Sequence, residues 1–189
     1  MATRGHLFII SGPSGAGKST ILSAILRKRP QLRYSISYTT RPPRRDEQDG
    51  VHYHFITEAA FRNKIKGGEL AEWAEVHGNL YGTSARYIEE TLNDGQNVLL
   101  DIDVQGANRL IASYPEAISV FITTPNVKEL EKRLMKRGMD SLSAVKKRLK
   151  NAEAEMAQAH LYNHVVINDD LSQAVLQIET IIDKAYSHG

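Results

Sequence analysis

Leu7-Phe8-Ile9-Ile10-Ser11-Gly12-Pro13-Ser14-Gly15-Ala16-Gly17-Lys18-Ser19-Thr20 is the stretch that decides the fold. Leu7 to Ile10 has the length and composition of a short buried strand. Gly12 to Ser19 fits G-x-x-x-x-G-K-[ST] at every fixed position. Ser19 to Arg29 then carries Ile21, Leu22, Ile25 and Leu26 at helical spacing, and Pro30 stops it. Strand, glycine-rich loop and helix, in that order, build a phosphate cradle from backbone. Glycine lets the loop wrap closely, so that successive N–H groups point at the phosphate oxygens, and the helix N-terminus adds a partial positive charge. In such a loop Lys18 reaches the β- and γ-phosphates and the Ser19 hydroxyl can ligate Mg²⁺. The plainer alternative, a glycine-rich turn that merely starts a helix, has to be set against the strand and helix that flank it.

Working outward, three further apolar runs read as core strands: Val98–Ile102, Ile118–Ile122 and Val165–Ile167. Runs of this kind suit a parallel sheet covered on both faces. Charged helical stretches are expected over Asn126 to Arg137 and Ser143 to His160. A further helix is expected over Leu171 to Tyr186, with Leu171, Val175, Ile178 and Ile182 in one stripe. Alternating strands and helices give an α/β class with a parallel sheet flanked by helices. Tyr34 to Gly95 breaks the alternation. Tyr34 to Tyr38 and Val51 to Phe55 alternate like strands, Ala59 to Ile65 is short and helical, and Asn79 to Thr83 reads as a turn. This segment is expected to form an inserted mixed α+β lobe.

Composition narrows the choice of function. The chain has 189 residues, which suits one domain with insertions. Lys plus Arg is 24 and Asp plus Glu is 22, so binding nucleic acid by bulk charge is not expected. With 0 cysteines, disulfides, thiolate zinc sites and thiol nucleophiles are excluded. No run approaches the about 18 apolar residues of a membrane span. The apolar start is also shorter than the roughly 7–15 residues of a signal peptide. A soluble, cytoplasmic protein with no membrane partner is therefore expected.

ATPases, GTPases and small-molecule kinases all use a phosphate loop. The Asn-Lys-x-Asp guanine reader of GTPases is not found, since Asn168-Asp169-Asp170 lacks the lysine. Asp101, ending a core strand with Asp103 close behind, is placed where ligands collect at the carboxyl edge of a parallel sheet. It is read as the carboxylate that holds Mg²⁺ or its waters, the alternative being two aspartates that only start the next helix. Arg41-Pro42-Pro43-Arg44-Arg45 sets three guanidinium groups on a turn stiffened by proline. Their planar donor forks suit phosphate. A solvated basic turn is the alternative.

The ordered set of motifs resembles the guanylate kinases. It runs from the phosphate loop through Ser37-Tyr38-Thr39-Thr40-Arg41-Pro42-Pro43-Arg44 and Gly50-Val51-His52-Tyr53-His54-Phe55 to Glu72-Trp73-Ala74 and Tyr81-Gly82-Thr83. Asp101-Ile102-Asp103-Val104-Gln105-Gly106, Arg133-Leu134, Arg137-Gly138, Arg148-Leu149 and Val166-Ile167-Asn168-Asp169-Asp170 follow. The resemblance covers essentially the whole chain. It implies a P-loop kinase fold with a core of about 1–33, 96–125 and 157–189, a GMP-binding lobe of about 34–95 and a helical lid of about 126–156. It also implies an ATP:GMP phosphotransferase of purine nucleotide metabolism, with ATP as phosphoryl donor and Mg²⁺ as cofactor. ATP would lie on Gly12, Pro13, Ser14, Gly15, Ala16, Gly17, Lys18, Ser19 and Thr20, with Ser19 and Asp101 toward the metal. Arg41, Arg44, Tyr53 and Tyr81 would hold the GMP phosphate, beside Gly82, and Ser37, Glu72, Thr83 and Asp103 would read guanine. Lys18, Arg41 and the lid arginines Arg133, Arg137 and Arg148 would stabilise the transferring group.

Glu72 also makes sense by its chemistry. Guanine presents an N1–H and an N2 amino group along one edge, and a carboxylate accepts both. Adenine sets an acceptor at N1 against the same oxygens, a mismatch that is penalised when buried. Departures from the family pattern are Asp46, where glycine is common before Glu47, and the lid sequence Gly138-Met139-Asp140-Ser141-Leu142-Ser143. Three other readings compete. One is a P-loop kinase for another acceptor, which the presence of Glu72, Thr83 and Asp103 disfavours. Another is a non-catalytic phosphoprotein-binding domain, in which the phosphate loop is usually degraded. The third is a nucleic-acid module using Lys146-Lys147-Arg148-Leu149-Lys150, a run that reads better as a lid helix.

Overall fold

The computed structural model describes residues 3–76, 78–136 and 142–187. Along the chain its elements are β1 (Leu7–Ser11), α1 (Lys18–Lys28), β2 (Arg33–Tyr34), β3 (Tyr38–Thr39), β4 (His54–Phe55), α2 (Glu58–Lys66), β5 (Leu70–Val76) and β6 (Asn79–Ser84). Then come α3 (Ala85–Asn93), β7 (Val98–Asp101), α4 (Val104–Ser113), β8 (Ile118–Thr123), α5 (Val127–Lys136), α6 (Leu142–Met156), β9 (His164–Ile167) and α7 (Leu171–Ser187). Arg137 and Met139 lie outside the described residues.

A five-stranded sheet runs in the order β2-β7-β1-β8-β9. Its pairings β2 with β7 and β8 with β9 are parallel. Bonds from Val98 N to His6 O and from Ile102 N to Ile10 O advance in the same direction along β7 and β1, as parallel strands require. Val98, Leu99 and Leu100 of β7 and Phe8, Ile9 and Ile10 of β1 are fully buried. These apolar runs are the core, and their continuity follows from burial on both faces. The chain separates into two compact units. One comprises residues 1–8, 31–100 and 105–117, and the other 9–30, 101–104 and 118–189.

In the first unit, a four-stranded sheet runs β4-β3-β6-β5. β3 is parallel to β4, and β6 is antiparallel to both β3 and β5. Thr57 caps α2 by accepting from Ala60 N, which fixes where that helix begins. In the second unit, α1 and α7 lie together, joined by the paired bonds of Arg29 Nη1 and Nη2 to Asp183 at 2.7 and 2.8 Å. Leu130, Leu134 and Ala152 join α5 and α6 in a small core of their own, with Leu149 and Met156 against it.

Four expectations need correction. Tyr34 to Tyr38 is not one strand, since Tyr34 ends β2 of the five-stranded sheet and Tyr38 begins β3 of the four-stranded one, and of Val51 to Phe55 only His54–Phe55 is strand. Asn79 to Thr83 is no turn. It lies in β6, which pairs with β5 from Val76↔Asn79 onward, and Gly78, just before β6, has a positive φ of 78°. Val165 and Ile167 are not buried but 48% and 52% exposed, because β9 is the sheet's edge strand and only Val166 turns inward. The helix expected to run to His160 ends at Met156, and a separate 3-10 turn occupies Ala159–Leu161. The basic run 146–150 does lie within α6.

Candidate active site

β1 delivers the chain into the phosphate loop at the sheet's centre. Ser11 Oγ donates to Ile102 O at 2.9 Å, fastening the end of β1 to the end of β7. Gly12 follows with φ 142°, and a methyl group there would collide with Ile122 O of β8. Gly17 is left-handed at φ 91°, and a methyl there would strike the side chain of Asn168. Glycine is therefore required at both positions by conformation and by space. Ala16 N donates to Pro13 O at 3.1 Å and closes the loop on itself. α1 begins at Lys18 with no side-chain cap and no acidic residue in its first turn. Its N-terminal N–H groups lack intrahelical partners and its dipole is not neutralised, so the end suits an anion.

Lys18 Nζ donates to Gly12 O at 2.6 Å, so the cation lies back along its own loop. The Asp101 carboxyl has its pKa raised by burial, an effect partly offset by the Lys18 charge. Burial also raises Glu155 of α6, with Lys18 opposing that shift and Asp103 adding to it. Ser19 and Thr20 are exposed. Ser19 and Asp101 supply two hard oxygen donors. Mg²⁺ keeps waters and phosphate oxygens in its coordination sphere and takes few protein ligands, so this donor set fits it. Among the described residues, no cluster of three His, Asp or Glu side chains is arranged to hold a metal ion by itself.

Arg133 sits beside the loop. Its Nη2 donates to Asn168 O at 2.9 Å and its Nε to Glu129 at 3.1 Å, and a methyl on Gly17 would lie 3.9 Å from its Nη1. Asn168 is buried, and its Nδ2 donates to Ala16 O at 2.7 Å. One residue thus holds both the loop and the arginine. In the sequence Asn168 falls within the motif Val166-Ile167-Asn168-Asp169-Asp170, and the family resemblance assigns it no task. Arg148 is half-buried on α6.

The second group of residues is made by strand register. Glu72 lies opposite Thr83, Ala74 opposite Tyr81, Tyr81 opposite Thr39, and Thr39 opposite Phe55. Directly paired residues share a face and side chains alternate along each strand, so Thr39, Phe55, Glu72, Tyr81 and Thr83 share one face. Continuing the alternation adds Ser37 and Tyr53. The ring contacts agree, with Tyr53 edge-on to Tyr81 at 5.8 Å and to Phe55 at 5.9 Å. α2 covers the opposite face. There Gly82 meets Phe61 Cζ, which would lie 3.0 Å from an added methyl, and Lys64 stands over the Tyr38 ring at 4.6 Å. A side chain at position 82 would push into α2.

Glu72 is only 5% exposed and accepts a hydrogen bond from the Thr83 hydroxyl at 2.7 Å. Ser37 is buried as well. Arg41 donates from Nε to the Tyr81 hydroxyl at 3.2 Å and lies over the rings of Tyr53 and Phe55 at 5.6 and 5.8 Å. Its Nη1 and Nη2 each donate to Glu47 at 2.9 Å, and Arg44 N donates to Glu47 Oε2 at 2.8 Å. The pairing holds the Arg41 pKa above its ordinary value and the Glu47 pKa below its own. The Arg44 side chain is exposed. Of the expected residues, this unit brings together Ser37, Arg41, Tyr53, Glu72, Tyr81 and Thr83, with Arg44 on the adjoining turn. Asp103 belongs to the unit of the phosphate loop.

A phosphate loop on the central strand of a parallel sheet, followed directly by a helix, defines a P-loop nucleotide-binding protein. The family model described as guanylate kinase matches residues 4–185. The guanylate kinase of Shewanella violacea is 48% identical over 183 residues, covering 96% of this chain and 88% of that protein. That of Nitrosospira multiformis is 45% identical over 180 residues, covering 95% and 86%. The crystal structure of guanylate kinase from Anaplasma phagocytophilum superimposes with a TM-score of 0.81 at 29% identity, covering 97% of this chain and 87% of that one. The chain belongs to the guanylate kinase family.

Proposed function

We propose that the chain transfers the γ-phosphoryl group of ATP to GMP, giving ADP and GDP, and that it does so in the cytoplasm as a step in purine nucleotide recycling. The observation that carries this reading is Glu72. It is a buried carboxylate fixed by the Thr83 hydroxyl, on the sheet face that also carries the Tyr53–Tyr81 ring pair beneath Arg41. That face offers acceptors for a base with two donors on one edge, and beside them a cation and a hydroxyl for a phosphate.

In this reading Ser37, Glu72 and Thr83 recognise guanine, with Asp103 added by resemblance. Arg41, Arg44, Tyr53 and Tyr81 hold the acceptor phosphate. The second pKa of a phosphate monoester is about 6, so the acceptor is largely dianionic near pH 7 and needs no strong general base. An oxygen of that phosphate forms a bond to the γ-phosphorus. The bond from the γ-phosphorus to the β,γ-bridging oxygen breaks, and ADP leaves with the electron pair. The backbone of Gly12 to Gly17 and the Lys18 ammonium hold the donor phosphates. Arg133, Arg137 and Arg148 spread positive charge over the transferring group, and catalysis consists of positioning and electrostatics. Ser19 and Asp101 would hold Mg²⁺, which supplies charge neutralisation on the β- and γ-oxygens. The division into core, acceptor lobe (34–95) and lid (126–156) is part of the same proposal.

A coupled assay with ATP and each nucleoside monophosphate tests it. GMP should be turned over far faster than AMP, CMP or UMP. Preference for another acceptor, or no turnover by folded protein, would refute the reading.

A further inference from the structure

The turn that carries the arginines contains a residue no functional reading has used. Glu47 follows Arg41 by six positions and Arg44 by three, in the run Arg41-Pro42-Pro43-Arg44-Arg45-Asp46-Glu47. Its carboxylate accepts from Arg41 Nη1 and Nη2, both at 2.9 Å, and from the backbone N–H of Arg44 at 2.8 Å. The side chains of the pair are only 14% and 15% exposed.

Guanidinium has five N–H donors. Arg41 spends Nε on the Tyr81 hydroxyl, Nη1 on Pro42 O and Glu47, and one N–H of Nη2 on Glu47. One N–H, on Nη2, is left. The guanidinium also lies over two aromatic rings. These contacts restrain the long side chain at its guanidinium end without any ligand. An arginine on an exposed turn otherwise loses rotamer entropy when it binds, and prior ordering removes that cost from the binding step. Two roles for Glu47 can be told apart. As a strut, it aims Arg41 and leaves the last N–H for the ligand. As a surrogate anion, it occupies the fork and must be displaced. The backbone bond from Arg44 decides between them. It ties the carboxylate to the turn itself, so Glu47 is part of the frame and not a swinging group.

We propose that Glu47 is a positioning residue for the acceptor phosphate: it locks Arg41 against Tyr81 and the Tyr53 and Phe55 rings, so that Arg41 presents one pre-aimed N–H rather than a bidentate fork to the phosphate. This rests on Arg41 being a ligand of the GMP phosphate. The corollary is that Arg44, exposed and on the same turn, supplies the open fork.

The test is steady-state kinetics of Glu47→Gln, alone and combined with Arg41→Ala, with thermal melts to confirm folding. Glutamine keeps the size but turns one acceptor into an NH₂ donor facing Arg41 or the Arg44 N–H. The KM for GMP should rise about tenfold, kcat should fall less than threefold, and the KM for ATP should stay within twofold. Glu47→Asp, which keeps the charge on a shorter stem, should fall between glutamine and wild type, and it serves as the second variant if glutamine disturbs folding. In the Arg41→Ala background, Glu47→Gln should add nothing. An unchanged GMP KM in folded Glu47→Gln overturns the proposal, and a lowered one assigns Glu47 as a competitor of phosphate. Additive effects in the double variant overturn it too. If Arg41→Ala itself leaves the GMP KM unchanged, the acceptor-site reading has failed. If Arg41→Ala raises it and Glu47→Gln does not, only the role of Glu47 has failed.

Discussion

In the proposed reading, the phosphate loop and the acceptor face handle the same chemical group by different means. At the loop the recognising atoms belong to the backbone, and side chains are mainly excluded. Gly12 and Gly17 have no room for a methyl, and α1 starts without a cap or an acid. On the acceptor face the backbone only sets the register, and the chemistry belongs to side chains. Glu72, Thr83, Tyr81 and Arg41 are linked by hydrogen bonds, and the rings of Tyr53 and Phe55 lie beneath the guanidinium. A backbone site reads phosphate and little else, whereas a side-chain site can also read a base. The difference predicts where specificity resides: on the proposed roles, donor binding should tolerate changes that leave loop geometry intact, and acceptor choice should change with single functional groups.

The largest effect should come from the one cation within the loop. Lys18→Ala should lower turnover by about 10²–10³-fold or more, the scale set by removing a charge-stabilising donor from an active site. Circular dichroism should show the fold unchanged. Near-normal turnover in that variant would break the assignment of the loop.

Next is base choice. Glu72→Gln should narrow the kcat/KM preference for GMP over AMP roughly tenfold to a hundredfold, the scale of about 1–3 kcal/mol for leaving a buried partner unsatisfied. The amide sets a donor against one guanine donor, while its oxygen keeps two lone pairs for the Thr83 hydroxyl and the other guanine donor. An unchanged ratio would move base recognition to Ser37, Thr83 and Asp103.

Asymmetry around the loop sharpens the comparison further. Asn168→Ala removes the bond to Ala16 O without touching the loop's own sequence. It should raise the KM for ATP about threefold to tenfold and leave the KM for GMP within twofold, since the loss of one neutral buried bond is worth about 1 kcal/mol. Equal changes in both KM values would show that Asn168 serves general stability instead.

The smallest effect is a pH dependence. Bonds from Arg41, and then from Arg44 N, hold the Glu47 pKa below its ordinary value. A carboxylate with a depressed folded pKa contributes stability above its unfolded pKa of about 4.3, and that contribution is lost as pH falls through the folded value. The stability gap between wild type and Glu47→Gln, measured by urea melts, should be flat above about pH 5 and shrink at lower pH. A gap that widened with acid would reverse the sign and contradict the pairing.

The same contrast governs what was legible in the sequence. The loop could be read outright, because its function is a spacing of glycines between an apolar run and a helical stripe, all local. The parallel core followed from Leu7–Ile10, Val98–Ile102 and Ile118–Ile122, whose continuous apolar character reports burial on both faces. Val165–Ile167 has the same composition and lies at the edge, since composition carries no strand order. β6 reads like a turn, because Asn79-Leu80-Tyr81-Gly82-Thr83 holds turn-forming residues, whereas its glycine in fact makes room for Phe61 of α2 on that face of the sheet. Glu72 and Thr83 are eleven residues apart and meet only through the β5–β6 register. Family resemblance pointed to both, and no spacing rule would have. Glu47 was visible in the sequence, three residues beyond Arg44, but only the turn's geometry shows that it serves Arg41.

The central claim is that donor and acceptor phosphates are bound by separate sets of groups. Isothermal titration of Arg41→Ala with ATP and with GMP, each alone, tests it most directly. The account predicts that GMP binding weakens tenfold or more while ATP binding stays within twofold of wild type. Equal weakening of both ligands would contradict a dedicated acceptor site.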